Sequence, residues 1–295
     1  MSASEEPLAI EARGLCFRYE EGTEALRDVN FAVRPGEFVA LLASNGGGKS
    51  TLIKVLVRLL EPQEGRILLA GRELRQYSTR ELYQLVGLVL QDPNDQLFAP
   101  TVAEDVAFGP SNLGLPADEV ERRVSEALQW VGAAALADRA VHHLSFGERK
   151  RVCLAGVLAM GSSILMLDEP TAGLDPAGEA QMLHLLNRLN RERGLTIILA
   201  THSVDLLPLF ADRVYVLNRG RVLMEGTPEV IFANQEMVDR ASLRLPYISR
   251  LIHELRHFDG VPIEGLPLTV GEARERLLEL IPPEMIMRKL TEKRQ

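Results

Sequence analysis

This 295-residue sequence has few cysteines, no excess of basic residues and no long apolar run. Each of these absences argues against a class of protein. Cys16 and Cys153 lie far apart and form no CxxC pair, which argues against a disulfide scaffold and a thiolate metal site. Lysine and arginine total 33 against 41 aspartate and glutamate residues, and this acidity predicts no nucleic-acid partner. No run of about 18 apolar residues occurs, so we do not expect the chain to span a membrane by itself.

The amino-terminal stretch MSASEEPLAI is acidic and lacks the positive start and apolar core of a signal peptide. Together with the low cysteine content, this favours the reducing cytoplasm. The remaining composition, 46% hydrophobic and 25% charged, is that of an ordinary globular chain of one or two domains.

Short β-rich runs alternate with helical patterns, which predicts an α/β fold with a parallel sheet flanked by helices. The pairs are EFVALL with KSTLIKVLVRLL, ILMLDEP with PAGEAQMLHLLNRLNRERG, and LTIILATH with a further short helix. Upstream, IEARGLCFRY and LRDVNFAV are typical of paired antiparallel strands. Residues 92–160 are mostly helical and predict an insert, and the pieces after about Gly226 predict a small carboxy-terminal extension.

A glycine-rich loop at the first of these strand-to-helix junctions nearly matches the phosphate-binding pattern GxxxxGK(S/T), with Ala43 in the place of its first glycine. Backbone N–H groups of the glycines and the positive end of the following helix are suited to phosphate oxygens. Lys49 is expected to meet the β- and γ-phosphates, and Ser50 to bind Mg²⁺. The alternative is a strand-to-helix turn without a ligand. The predicted loop residues are Ala43, Ser44, Asn45, Gly46, Gly47, Gly48, Lys49, Ser50 and Thr51.

Two carboxylates end the apolar strand ILMLDEP. Asp168 is predicted to hold a metal-bound water, and Glu169 to face the water that attacks the γ-phosphate. His202 ends the strand LTIILATH, and parallel strands place their carboxyl ends on one edge of the sheet, where ligands bind. Taken alone, the DEP run is also compatible with a buried strand meeting a capped turn, and a lone histidine is usually structural.

The motif LSFGERKRV lies between the loop and these carboxylates and resembles the signature of ABC-type ATPases, and the other motifs follow in that family's order. The resemblance covers about Leu8 to Arg240. It implies a P-loop NTPase of the ABC ATPase type that hydrolyses ATP with Mg²⁺. It further implies an ATP-binding cassette at 8–240 with a RecA-like core, an antiparallel β subdomain and a helical subdomain at about 92–160, followed by an extension at 241–295.

By the same resemblance, Tyr19 stacks on adenine, Gln91 connects the magnesium site to a membrane partner, and Asp175 crosses a dimer interface. The signature residues Ser145, Phe146, Gly147 and Glu148 serve the nucleotide of the opposite subunit, where Ser145 and Gly147 cap the γ-phosphate. Each has a plainer alternative: Tyr19 as a core aromatic, Gln91 as a strand-end polar group, and Ser145 as a helix cap.

Two signature residues depart from the family's most frequent pattern, in which Phe146 would be glycine and Glu148 glutamine. We predict that Phe146 is tolerated because its side chain points out of the phosphate site. Sharply higher turnover of Phe146→Gly would count against that prediction.

Within the family, QDPNDQLFAPTVAEDVAFGPSNLGL, LAGVLAM and LPYISRLIHELR resemble the ATPases of energy-coupling-factor importers, especially the cobalt and nickel branch. The resemblance implies a peripheral subunit on the cytoplasmic face of the cell membrane, docked on integral-membrane transporter subunits. It implies a homodimer, or a heterodimer with a paralogous ATPase, that drives uptake of cobalt, with nickel or a vitamin as the alternative.

Three other functions compete with this interpretation. The stretch HELRH, with His253 and His257 on one helical face, matches the zinc-peptidase pattern HExxH but has no compelling third ligand. A DNA- or ribosome-directed ABC ATPase is disfavoured by the single cassette and the absence of long heptad arms. A cassette that binds ATP without hydrolysing it is disfavoured by Glu169 and His202.

Overall fold

A computed structural model describes residues 7–281, which form ten strands and ten α-helices joined by loops and short 3₁₀ turns. The strands are β1 (Ile10–Arg18), β2 (Glu24–Val33), β3 (Phe38–Leu42), β4 (Glu64–Leu69), β5 (Arg72–Glu73), β6 (Val86–Val89), β7 (Ile164–Asp168), β8 (Thr196–Thr201), β9 (Arg213–Asn218) and β10 (Arg221–Gly226). The helices are α1 (Lys49–Leu56), α2 (Thr79–Leu85), α3 (Val102–Asn112), α4 (Ala117–Trp130), α5 (Phe146–Ala159), α6 (Pro176–Arg193), α7 (Pro228–Ala233), α8 (Gln235–Arg240), α9 (Tyr247–His257) and α10 (Val270–Glu279).

The central sheet has six strands in the order β10-β9-β3-β8-β7-β6. All neighbours pair in parallel except β10, which runs antiparallel to β9. Crossover helices therefore cover both faces, and the buried strands β3, β7 and β8 are apolar along most of their length. This architecture confirms the predicted α/β class with a parallel sheet.

A second, antiparallel sheet has the order β2-β1-β4-β5 and confirms the predicted pairing of the first two strands. Because side chains alternate across a strand, β3 contributes to two hydrophobic clusters. Val39 and Leu41 pack in the cluster that contains β1, β2 and α1. Phe38, Ala40 and Leu42 pack on the opposite face, in the cluster that contains α5 and α6.

Two of the three α-helices between the sheet strands β6 and β7 begin at side-chain caps, and the third, α4, follows Pro116 without one. Thr101 caps α3 and Ser145 caps α5, and each forms a reciprocal capping box with a glutamate three residues on, Glu104 and Glu148. The amphipathic pattern at 116–132 forms α4, in agreement with the helical character predicted for residues 92–160. Valines of α3, α4 and α5 belong to the same apolar cluster as the central sheet, so the insert packs directly on the sheet.

The chain after β10 forms α7 to α10 within the described residues; the predicted extension's residues 282–295 lie outside them. Ile252 on α9 and Ala273 on α10 pack with Ile263 in a small apolar cluster. Arg244 forms an ion pair with Asp205, which ties the connection between α8 and α9 to the loop after β8.

Two helix predictions are wrong in length or type. The pattern KSTLIKVLVRLL predicts a helix over 49–60, but α1 ends at Leu56 because Arg58 adopts φ +58, which no helix contains. The short helix predicted after LTIILATH is a 3₁₀ turn at Leu207–Leu209. Among the described residues, no helix is long and apolar enough to cross a membrane.

Candidate active site

The carboxyl ends of three neighbouring parallel strands bring the predicted catalytic groups together. In the register of the sheet, Leu42 on β3 lies beside Thr201 on β8, and Asp168 on β7 lies beside Ala200 on β8. The glycine-rich loop follows Leu42, Glu169 follows Asp168, and His202 follows Thr201. Groups more than 150 residues apart in sequence therefore share one edge of the sheet.

The loop between β3 and α1 has the backbone of a phosphate cradle. Gly46 and Gly48 adopt φ +75 and +106, which side-chain-bearing residues rarely do. Gly48 is the N-cap of α1 and has no side chain to accept hydrogen bonds from the helix's first N–H groups. These N–H groups, at the positive end of the helix, are free to meet an anion.

Ala43, in the place of the pattern's first glycine, is fully buried and is not among the described residues with positive φ. Alanine therefore causes no backbone strain here. Its methyl group faces Gly47: a Cβ added at Gly47 would lie 2.6 Å from the Cβ of Ala43 and 3.0 Å from the carbonyl oxygen of Ser44. The loop thus holds one methyl group at position 43 and has no room for a second at position 47.

Lys49 lies inside this loop and is almost completely buried. Its Nζ donates a hydrogen bond to the carbonyl oxygen of Ala43 at 2.8 Å and lies 3.5 Å from Oε1 of Glu169. Nδ1 of His202 lies 2.9 Å from Oε2 of the same carboxylate. Glu169 is thus oriented from both sides, by an ammonium group and by an imidazole.

Asp168 carries an unpartnered acceptor at the same edge. Its Oδ1 is buried and has no hydrogen-bond partner, and burial raises the pKa of this carboxyl against the opposing effect of the Ser50 hydroxyl group. A hydroxyl and a carboxylate with a free buried oxygen form the hard oxygen donor set that Mg²⁺ prefers, so the residues present fit that ion.

The loop, Lys49, Ser50, Glu169 and His202 line a cleft of about 680 Å³ together with the turn between β1 and β2 and the turn between β9 and β10. Asp168 lines a neighbouring cleft that shares Ser50 and Gln91 with the first. At one side, the Tyr19 hydroxyl lies 3.0 Å from Oγ1 of Thr51, and the Tyr19 ring packs edge-on against Phe17. The predicted residues that line this cleft are Tyr19, Asn45, Gly46, Gly47, Gly48, Lys49, Ser50, Thr51, Gln91, Glu169 and His202.

Sequence reasoning missed two arginines of this cleft, Arg27 and Arg219. The backbone N–H of Arg27 donates to the carbonyl of Gly220 at 2.8 Å, which holds β2 beside the turn that carries Arg219. Neither arginine belongs to a motif, and only the packing of the two sheets places them beside the loop.

The comparisons with known proteins agree with this geometry. The family model described as ABC transporter matches residues 26–172. The chain is 48% identical over 274 residues to the energy-coupling factor transporter ATP-binding protein EcfA of Methanocaldococcus jannaschii. This alignment covers 92% of this chain and 98% of that protein. The chain belongs to the EcfA-type ABC transporter ATPases. It is therefore an ATP-binding protein whose ATP hydrolysis is coupled to transport, as the sequence predicted.

Two solved structures extend this comparison. CbiO1 of Clostridium perfringens, part of the ABC transporter complex CbiONQ, is 43% identical to this ATPase, with a TM-score of 0.73 over 84% of this chain and 100% of that one. A dimeric ATP-binding cassette in a post-hydrolysis state, bound to ADP and Pi, is 28% identical, with a TM-score of 0.66 over 74% of this chain and 98% of that one. Both confirm the ABC ATPase fold.

The remaining predicted residues of this ATPase do not line the nucleotide cleft of their own chain. Ser145 is the N-cap of α5, the alternative considered from the sequence, and the backbone N–H of Ser145 lowers the pKa of Glu148. Asp175 caps α6 by accepting a hydrogen bond from the N–H of Gly178 at 2.7 Å. Gly147 lies in the first turn of α5.

Phe146, the unusual signature residue, packs within its own chain. A Cβ on Gly173 would lie only 2.9 Å from the Phe146 ring, and the Nζ of Lys150 lies 5.4 Å from the ring centroid. The ring therefore covers the loop that follows Glu169.

The HELRH stretch lies on α9, and none of its residues lines the cleft. The rings of His253 and His257 stack with centroids 5.7 Å apart, and Glu254 pairs with Arg250 at 2.9 Å. Within residues 7–281, no group of three or more histidine, cysteine, aspartate or glutamate side chains is arranged to hold a metal ion. The structure thus supplies no third ligand for a zinc site.

Proposed function

We propose that this ATPase is the energising subunit of an energy-coupling-factor importer for cobalt, with Mg²⁺-ATP bound in the cleft described above. The observation that carries the proposal is the convergence of Lys49, Glu169 and His202 at the end of the glycine-rich loop. A lysine for phosphate, a carboxylate for water and a histidine that orients the carboxylate are the groups that hydrolysis of a γ-phosphate requires.

Each residue has a defined part in this mechanism. The loop N–H groups and Lys49 bind the β- and γ-phosphates, and Tyr19 stacks on the adenine. Glu169 accepts the proton of the attacking water, while His202 holds the carboxylate in place. Ser50, Gln91 and Asp168 would hold Mg²⁺, which neutralises charge on the phosphates.

We further propose that two cassettes close head to tail, so that Ser145 and Gly147 of each chain cap the nucleotide of the other. Their position outside the cleft of their own chain supports this arrangement, as does the 28% identical cassette that is dimeric with ADP and Pi. Asp175 is then expected at the interface. The partner is a second copy or a paralogous ATPase; two copies would form a two-fold symmetric dimer with equivalent sites.

An apolar groove lined in part by Gln96 and Phe98 supports docking to membrane subunits at the cytoplasmic face of the cell membrane. It has a volume of about 290 Å³ and is lined mainly by apolar side chains of α3, α5 and β6. Phe98 and Phe108 stand at its edge with 64% and 51% of their surface exposed and their rings in edge-to-face contact. Exposed aromatic pairs beside an apolar groove are typical of protein interfaces.

We expect Phe108→Ser to weaken association with the membrane subunits by about tenfold, because the variant removes an aromatic anchor from the groove. The matched control is Leu209→Ser, since Leu209 is similarly exposed, at 53%, but does not line the groove. Co-purification of both variants with the co-expressed membrane subunits measures the effect. Equal retention of the two variants would contradict docking at this groove.

Cobalt as the cargo rests on the likeness to CbiO1, since the cleft of this chain binds nucleotide and not cargo. The test is uptake of Co²⁺, Ni²⁺ and vitamins into vesicles that contain the ATPase together with its membrane subunits. We expect ATP-dependent uptake of Co²⁺ that Glu169→Gln abolishes. Uptake of Ni²⁺ or a vitamin instead would overturn the cobalt assignment.

A further inference from the structure

Lys150 is a charged side chain in the interior, on α5, five residues after Ser145. Only 1% of its surface is exposed. Its Nζ donates two hydrogen bonds to backbone carbonyls, to that of Gln91 at 2.8 Å and to that of Glu169 at 3.0 Å. No carboxylate of the described residues pairs with it within 4.0 Å. The ammonium group therefore joins three separate segments: the signature helix, the Gln91 loop and the end of β7.

One of the two residues whose carbonyls Lys150 contacts, Glu169, has an unusual backbone conformation. Glu169 adopts φ +48, in the left-handed region that non-glycine residues rarely enter. Its N–H donates to the carbonyl of Ala200 at 2.9 Å, and its own carbonyl accepts from Lys150 and from the N–H of Ala172 at 3.1 Å. Hydrogen bonds at both ends of the residue thus hold the backbone that aims the carboxylate at Lys49 and His202.

We propose that Lys150 is a positioning residue for Glu169, which it holds in its left-handed conformation and connects to the signature helix and the Gln91 loop. The inference rests on the proposed role of Glu169 as the base. Among the described residues, Lys150 forms no hydrogen bond with the glycine-rich loop or Lys49, and its bond to Gln91 is to the backbone carbonyl and not to the side chain that would hold Mg²⁺. We therefore expect it to act on the chemical step through Glu169 more than on ATP binding.

The surroundings of Lys150 suit a buried cation. Burial lowers the pKa of Lys150, whereas the nearby carboxylates of Asp92, Asp168 and Glu169 favour its charged form. The centroid of the Phe146 ring lies 5.4 Å from Nζ, with the ammonium group over the ring face. The unusual phenylalanine of the signature therefore contributes a cation–π contact to the buried lysine.

The test compares Lys150→Met with Asn190→Leu in the intact complex with its membrane subunits. Asn190 is the matched control because it is equally buried and its Nδ2 also joins two backbone carbonyls, those of Gly36 and Leu195, each at 2.8 Å. We expect Lys150→Met to lower kcat about tenfold with KM for ATP changed less than about threefold, and Asn190→Leu to lower only Tm. Unchanged kcat in Lys150→Met, or equal kcat losses in both variants, would overturn the proposal.

A double variant separates positioning from general damage. In a Glu169→Gln background the base is already absent, so adding Lys150→Met is expected to change the residual turnover by less than about twofold. A further tenfold loss would overturn the proposal. Normal turnover of Glu169→Gln alone would instead refute the role of Glu169 as the base. The experiment therefore distinguishes failure of that role from failure of the proposal for Lys150. If Lys150→Met does not fold, Lys150→Gln is judged by the same criteria.

Discussion

Glu169→Gln is expected to lower ATP turnover by about 10² or more while the protein still binds ATP. Glutamine keeps the shape of the side chain and its contact with His202 but cannot accept the proton of the attacking water, and a positioned base is worth about this factor. Because hydrolysis would no longer reopen the closed cassettes, the variant should accumulate as an ATP-bound dimer. Phosphate release and gel filtration with ATP measure the two effects.

The control for this experiment is Glu192→Gln, which makes the same chemical change at an exposed position of α6. It should hydrolyse ATP at the rate of the unmodified protein and remain monomeric or dimeric as that protein does. ATP hydrolysis by Glu169→Gln at the normal rate would contradict the assignment of Glu169 as the base.

Gly47→Ala is expected to weaken ATP binding by roughly 10². Its new methyl group would lie 2.6 Å from that of Ala43, so the loop must shift, and such overpacking costs about 1–3 kcal/mol, the upper end of which is about 10² in affinity. Ala43→Gly alone should change affinity by less than about tenfold, since Ala43 is unstrained. The double variant Ala43→Gly/Gly47→Ala should therefore recover most of the lost ATP affinity. The remaining loss is due to the contact between the new methyl group and the Ser44 carbonyl oxygen.

Two further variants set the limits of this series. Ala43→Val should weaken binding, because a β-branched side chain would crowd the turn. Lys49→Ala should abolish tight binding, because it removes the ammonium group that meets the phosphates. Equilibrium binding of ATP to the unmodified chain and the five variants decides the outcome. If the unmodified chain does not bind and Ala43→Gly alone does, the loop is a decayed copy of the motif.

The sequence was sufficient for the fold class and for the residues at the strand ends, because both follow from local patterns. The loop motif, the DEP run and the histidine each follow an apolar strand, and parallel strands bring such ends together. The end of α1 was not predictable in this way: the pattern continues to Leu60, and only the backbone of Arg58 shows that the helix stops.

Contacts between distant segments account for the rest. In the sequence, Lys150 looks like an ordinary helical lysine. Its proposed role follows only from its hydrogen bonds to the carbonyls of Gln91 and Glu169, which lie 59 and 19 residues away in the chain. Arg27 and Arg219 reach the cleft because two sheets meet there. Ser145 and Asp175 cap helices within their own chain, and local patterns do not distinguish that part from a role in a second chain.

The contact between Ala43 and Gly47 changes what the phosphate-loop pattern means as a sequence code. The pattern specifies its first glycine independently of the residue four positions later, yet here the two positions share one small volume. The loop has room for a methyl group at position 43 as long as position 47 is glycine, and methyl groups at both positions would collide. Positions 43 and 47 therefore have to be judged together. A search that demands glycine at the first position of the pattern will reject loops like this one, in which alanine at the first position faces glycine at the fifth.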